Sequence, residues 1–165
     1  MDDSLERMQG KAVFHPANLD RDLELCVEFR RDSFRSSFPG SDQWQQYWNE
    51  QDYRQFIVSH AERFPDGLLH LWQEQKIIGQ LEFAYIGDNG HVNLFYLLPE
   101  YRGKGYGDLL HDRAVTVLRE KGCTTASLRV APSNARAIGF YKKYGWQNQG
   151  IDQHYDFVHM FILNL

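Results

Sequence analysis

The chain has 165 residues, of which 42% are hydrophobic and 24% charged, enough for one globular domain whose core needs no disulfide or metal staple. No apolar run approaches the roughly 20 residues of a membrane span, and the polar start MDDSLERMQG lacks a secretory signal. The net charge of −4 disfavours a nucleic-acid binder, but the charge is uneven: residues 100–145 hold nine Lys/Arg against four Asp/Glu, so one segment suits an anion while the remainder would attract a cation.

Residues 1–10 are expected to form a flexible N-terminal extension. KAVFH (11–15) alternates as a first strand. Asn18 can cap a helix whose stripe is Leu19, Leu23, Cys26, Val27 and Arg30 or Phe34, stopped by Pro39-Gly40. A second helical stretch, Trp44 to Phe64, changes its apolar face near Asn49–Asp52, which predicts a break there. Strands follow at 68–72 and 76–86, around a turn at Glu74-Gln75. Asp88-Asn89-Gly90 is read as a hairpin turn into HVNLFYLL (91–98). Tyr106 to Leu118 carries a helical stripe closed by Gly122, and ASLRVA (126–131) is a strand. Asn134 to Tyr144 is a helix, and two strands end the chain, the last being HYDFVHMFILNL. The order predicts a single-domain α/β protein: one mixed, mostly antiparallel sheet of about seven strands, with four or five helices on both faces.

Between the third of these central strands and its following helix lies Arg102-Gly103-Lys104-Gly105-Tyr106-Gly107. Alternate glycines let backbone N–H groups converge where a helix N-terminus adds positive charge, which suits a pyrophosphate. The spacing fits neither a P-loop nor a dinucleotide fingerprint. Downstream stands SNARAIGFYKKYGW (133–146). The pair, Pro-x-x-Arg-Gly-x-Gly-x-Gly before a helix and Asn-x-x-Ala-x-x-Phe-Tyr-x-x-x-Gly-Trp after the next strand, resembles the GCN5-related N-acetyltransferase (GNAT) superfamily. The resemblance is sharp over residues 91–146 and looser over 11–90.

That resemblance implies an acetyl-CoA-dependent N-acetyltransferase acting by direct transfer to a small-molecule or peptide amine. It makes Arg102, Gly103, Lys104, Gly105, Tyr106 and Gly107 the pyrophosphate cradle. The backbone at Leu97 and Leu98 would pair with the pantetheine arm, beside a bulge that splays the strand from its neighbour, with an N–H near Leu98 for the oxyanion. Asn134 would contact the cofactor, although its chemistry equally suits a helix cap. Tyr141 would protonate the leaving thiolate, although it also lies on a buried helical face. Arg136, Lys142 and Lys143 are candidates for the 3′-phosphate. A non-catalytic acyl-CoA-binding sensor on the same fold is the rival reading.

The general base is open between His91, at the position of the family's central-strand glutamate, and Glu82 on the preceding strand. Arg129 stands where members that modify ribosomal-protein N-termini carry a glutamate. Strict alternation sets His91 and Asn93 opposite Val92 and Leu94. Residues 29–64 hold nine of the 24 aromatics, so Trp44, Tyr47, Trp48 and Tyr53 are candidates to line an acceptor pocket. Cys26 and Cys123 read as reduced thiols of a cytoplasmic protein, with no acyl-enzyme expected. The histidines have no ligand spacing, so no metal is expected, and the apolar last strand can pair across a homodimer or lie inside the sheet.

Overall fold

The computed structural model describes residues 12–165, so the proposed extension at 1–10 lies outside the described residues. The elements run β1 (Ala12–Pro16), α1 (Leu19–Ser37), a 3₁₀ turn (Gln43–Gln46), α2 (Glu50–Arg63), β2 (Leu68–Gln73), β3 (Lys76–Ile86), β4 (Asn89–Leu97), a second 3₁₀ turn (Pro99–Tyr101), α3 (Tyr106–Glu120), β5 (Thr125–Val130), α4 (Ala135–Lys143), β6 (Gln147–Ile151) and β7 (His159–Asn164). The seven strands form one sheet in the order β1-β2-β3-β4-β5-β7-β6. Only β4 and β5 pair in parallel, joined by the α3 crossover. No helix among the described residues is long and apolar enough to cross a membrane.

The four helices divide between the two faces, as the alternating and helical patterns require. Cys26, Val27 and Phe29 of α1, with Tyr53 and Ile57 of α2, pack over Leu68, Ile77, Leu94 and Tyr96. Tyr106, Leu110, Ala114 and Leu118 of α3 cover Leu69, Leu71, Phe83, Val92, Ala126, Leu128 and Phe161 on the opposite face. The break expected near Asn49 is present, because the Asn49 side chain accepts from Asp52 N–H and starts α2 afresh after the 3₁₀ turn.

Two expectations need correction, and one left open is decided. The hairpin between β3 and β4 turns on Gly87-Asp88, not Asp88-Asn89-Gly90, since Ile86 pairs with Asn89 and Gly87 has φ +60°. Gly90 answers to packing instead: a Cβ there would lie 2.8 Å from the Leu118 side chain. The final strand begins only at His159, because Asp152 accepts N–H bonds from His154 and Tyr155 and bends the chain before it. Finally, β7 lies between β5 and β6, so this apolar strand is interior and the edges belong to β1 and β6.

Candidate active site

The site originates in a one-residue irregularity of β4. Glu82 pairs with Leu94 and Phe83 with Val92, so Asn93 is an extra residue in the ladder. Alternation therefore does not hold across it. Val92 faces α3, Leu94 and Tyr96 face α1, and Phe95 and Leu97 face α3 again. The reading that put Val92 and Leu94 on one face is overturned by this bulge. Pairing with β5 also stops here, with Val92 opposite Leu128 as its last partner. Beyond that point β4 and β5 no longer pair, which leaves a gap in the ladder, here called the crevice, bordered by the second half of β4, with α4 following β5.

At the outer end of the crevice is the glycine turn. Gly103 has φ +72° and Gly105 φ +91°, with Gly105 capping the N-terminus of α3. A Cβ on Gly103 would meet nothing within 4 Å, so this backbone is open to a ligand. Side chains contribute less than the sequence suggested. Tyr106 is buried, and its hydroxyl accepts from Gln73 Nε2 at 2.6 Å. Arg102 turns inward: Nε donates to Leu97 O at 2.9 Å, Nη2 to Asp32 at 3.1 Å, and the guanidinium lies over Tyr96. Lys104 is exposed. Gly107 makes a close helix contact, as a Cβ there would lie 3.2 Å from Phe140. What this turn offers an anion is thus backbone amides and the helix dipole rather than a ring of cations.

Leu97 and Leu98 divide their roles. Leu98 N–H donates to Ile78 O at 2.9 Å and so faces β3, which removes it as an oxyanion donor. By alternation, the peptide edge of Leu97 faces the crevice. Asn134 caps α4, its Oδ1 accepting from Ala137 N–H, while Nδ2 reaches Ser37 at the end of α1. Seven residues later Tyr141 projects toward the gap, among Phe95, Phe140, Trp146 and Phe161. Burial pushes its phenol up to about 12, against the opposing pull of the Arg30 charge.

The two base candidates occupy different settings on the α1 face. Glu82 is fully buried directly across from the bulge. Its Oε2 accepts from Tyr53 at 2.9 Å and from Gln80 at 2.8 Å, whereas Oε1 has no partner. Gln80 Oε1 in turn accepts from His70 at 2.8 Å, so a line of buried polar groups leads to Glu82. His91 is half-buried two residues before the bulge. Arg129 Nη1 points at its Nε2 from 3.4 Å and Ser127 Oγ lies 2.8 Å from Nδ1, an arrangement that makes Nδ1 the donor and occupies the Nε2 lone pair. Burial and the Arg129 charge push this imidazole down to about 4.

The acetyltransferase (GNAT) family profile matches residues 24–146, three-quarters of the chain and both motifs. The chain belongs to the GNAT family. A provisionally named ribosomal protein bS18-alanine N-acetyltransferase of Bacillus subtilis (strain 168) is 28% identical over 148 residues, 90% of this chain and 89% of that protein. Thialysine N-ε-acetyltransferase of Bos taurus is 37% identical over 62 residues, 38% of this chain and 36% of that protein. Among solved structures, the PaiA N-acetyltransferase of Thermoplasma acidophilum in complex with coenzyme A superposes with TM-score 0.80 at 22% identity, over 93% of this chain and 99% of that one. The chain is therefore a GNAT acetyltransferase, with the mixed sheet read from its element order.

In this GNAT domain the aromatic candidates for an acceptor pocket join two separate stretches of chain. Tyr47, after the first 3₁₀ turn, stacks on Phe157 of the β6–β7 loop, and Phe38 stacks on Tyr47. Trp48 packs against Phe34 and Tyr53, and Trp44 lies beside the Arg35 guanidinium. Tyr53 is buried and spends its hydroxyl on Glu82. Of the four aromatic candidates, Tyr47 has the most direct link to the opposite wall.

Arg30 stands at the bulge although the sequence reading gave it no site role. The stripe that placed it beside Phe34 marked a charged residue on a buried helical face, and that was the available signal. Its Nη1 donates to Asn93 O at 2.8 Å, at the bulge itself. Neither cysteine is poised as a nucleophile: burial pushes Cys26 up to about 12 and raises Cys123. Among the described residues no three metal-ligating side chains are gathered.

Proposed function

We propose that this enzyme transfers an acetyl group from acetyl-CoA directly to a primary amine. The observation that carries the reading is the Asn93 bulge with the divergence of β4 from β5, because it opens a crevice between the glycine turn and Tyr141. Backbone amides from Gly103 to Gly107 hold the diphosphate at the α3 N-terminus. The Leu97 edge of β4 offers strand-like hydrogen bonds to the pantetheine amides. Asn134 is a helix cap first, and its link to Ser37 fixes that end of the crevice.

A protonated alkyl amine is about one part in a thousand neutral at pH 7, so the reaction needs a proton acceptor. Glu82 is the better base: it faces the bulge and has an unpartnered oxygen, whereas the His91 Nε2 lone pair already points at Arg129. Glu82 takes the proton through a bridging water. The amine nitrogen bonds to the acetyl carbon, the carbon–sulfur bond breaks, and Tyr141 returns a proton to sulfur. The depressed acidity of Tyr141 keeps that proton in place at neutral pH. Both thiols are buried and free, which suits a reducing compartment such as the cytoplasm.

The test couples binding with turnover. A thermal melt with acetyl-CoA, ATP and NAD should shift only with acetyl-CoA, by about 2.7 kcal/mol of stabilisation at a hundredfold excess over Kd. Thiol release should then follow with at least one amine of a broad panel. Binding without release on any amine would instead support a non-catalytic acyl-CoA sensor. A shift with ATP or NAD alone would reject the CoA assignment.

A further inference from the structure

Helix α1 carries four arginines, and three of them meet carboxylates. Arg21 pairs with Asp22, Arg31 with Glu28 and Glu50, and Arg35 approaches Asp32 and Glu28. Arg30 has no carboxylate within 4.0 Å among the described residues, although it is half-buried on the helix face turned toward the sheet. Among the described residues its guanidinium makes one hydrogen bond, from Nη1 to Asn93 O, and stands 5.2 Å from the Phe34 ring centroid. The same bulge residue leaves Asn93 Oδ1 buried without a donor. The Arg30 charge acts on His91, Tyr53 and Tyr141, which stand on β4, α2 and α4. The two other arginines beside β4 and β5 are already neutralised, Arg102 by Asp32 and Arg129 by Asp152.

A half-buried guanidinium held at a reaction site without a counter-ion is costly unless an anion arrives with the ligand. Its remaining N–H groups suit a carboxylate, which a planar guanidinium grips with two parallel bonds. The orphaned Asn93 Oδ1 beside it lacks the complementary feature, an N–H donor. We infer that Arg30 recognises a carboxylate on the acceptor, so that the preferred substrate is an amino carboxylate, its amine directed to the Asn93 bulge and its carboxylate to Arg30. This inference rests on the acetyl-transfer reading above and names the acceptor class for it.

The experiment compares L-alanine and L-lysine with L-alaninamide and L-lysinamide, using the full chain and acetyl-CoA. Two readouts are taken: thiol release, and the melting shift each amine adds to the enzyme with CoA bound. The wild type should favour each acid over its amide in kcat/KM. Arg30→Gln should reduce that preference by about tenfold or more, the scale of a lost charge-assisted pair, with Arg30→Lys intermediate. The acetyl-CoA Kd should stay constant in both variants. Equal loss on acids and amides would make Arg30 an electrostatic aid to the chemistry and overturn the inference, as would weakened acetyl-CoA binding or a wild-type preference for amides. If no amine releases thiol, the transfer reading fails. An acid-selective, Arg30-dependent melting shift would still uphold carboxylate recognition, and its absence would reject it.

Discussion

Tyr47 and Phe157 stack with ring centroids 3.8 Å apart and planes 11° from parallel, joining the α1–α2 connection to the β6–β7 loop. This contact bridges the two stretches that the proposed function places beside the acceptor. Phe157→Ala should cost about 0.5–1.5 kcal/mol from the lost ring pair, read as a lower melting temperature. KM for the amine should rise several-fold while the acetyl-CoA Kd stays put. An equal change in both would mean that the contact supports the whole fold rather than the acceptor wall.

Glu82→Gln keeps the volume and the bond from Tyr53 but removes the proton acceptor. It should lower kcat by about 10²–10⁴-fold at neutral pH, with acetyl-CoA binding intact. His91→Gln should have a much smaller effect, because the Arg129 contact already occupies its Nε2. The reverse ranking, measured by steady-state kinetics, would transfer the base to His91.

Tyr141→Phe should preserve the fold, since the ring keeps its contacts with Phe95, Trp146 and Phe161. Its kcat should fall by about 10²-fold or more when thiolate departure limits the rate. With the phenol pushed up to about 12, the wild type should show no falling limb from this group between pH 8 and 10. A limb there that vanishes in Tyr141→Phe would contradict the assignment.

His91 makes a separate prediction about stability. Its folded pKa of about 4 lies below the ordinary 6.5, so between these values the unfolded chain binds more protons. The contribution is therefore whole above pH 6.5 and is lost as pH falls toward 4. His91→Gln should melt with a shallower pH dependence across that window. Some slope should persist, because burial also depresses His70 and His111. Parallel melting curves for variant and wild type would refute this.

Gly103→Ala tests the turn itself. With φ at +72°, any side chain there adds about 1–2 kcal/mol of backbone strain, although the new methyl meets nothing within 4 Å. A modest drop in melting temperature should accompany a weaker acetyl-CoA Kd, measured by calorimetry. Unchanged affinity would place the diphosphate elsewhere.

Features set by local chemistry were legible in the sequence. The glycine turn, the Asn134 cap and the Asn49 break depend on residues within a few positions of one another, so spacing alone exposes them. Features set by distant partners were not. Gly90 next to Asn89 imitates a hairpin turn, yet it is glycine because Leu118 of α3 presses on it. The inward turn of Arg102 depends on Asp32, far away in the chain. A bulge in this strand was expected only through family resemblance and without its position at Asn93, since no turn residue marks it and HVNLFYLL alternates without interruption. Arg30 broke a hydrophobic stripe, which is a visible anomaly, but its meaning required the bulge carbonyl opposite it.

A single surplus amino acid in β4 has a wider consequence. Deleting Asn93 would put the two strands back in step, letting the β4–β5 ladder zip onward past Leu128 toward Val130. Phe95 and Leu97 would keep their side of the sheet, facing α3, while the hollow between the strands would seal. The chain would trade its working interior for a better-knit and chemically idle sheet, so protein engineers seeking a sturdier variant should leave this flaw alone.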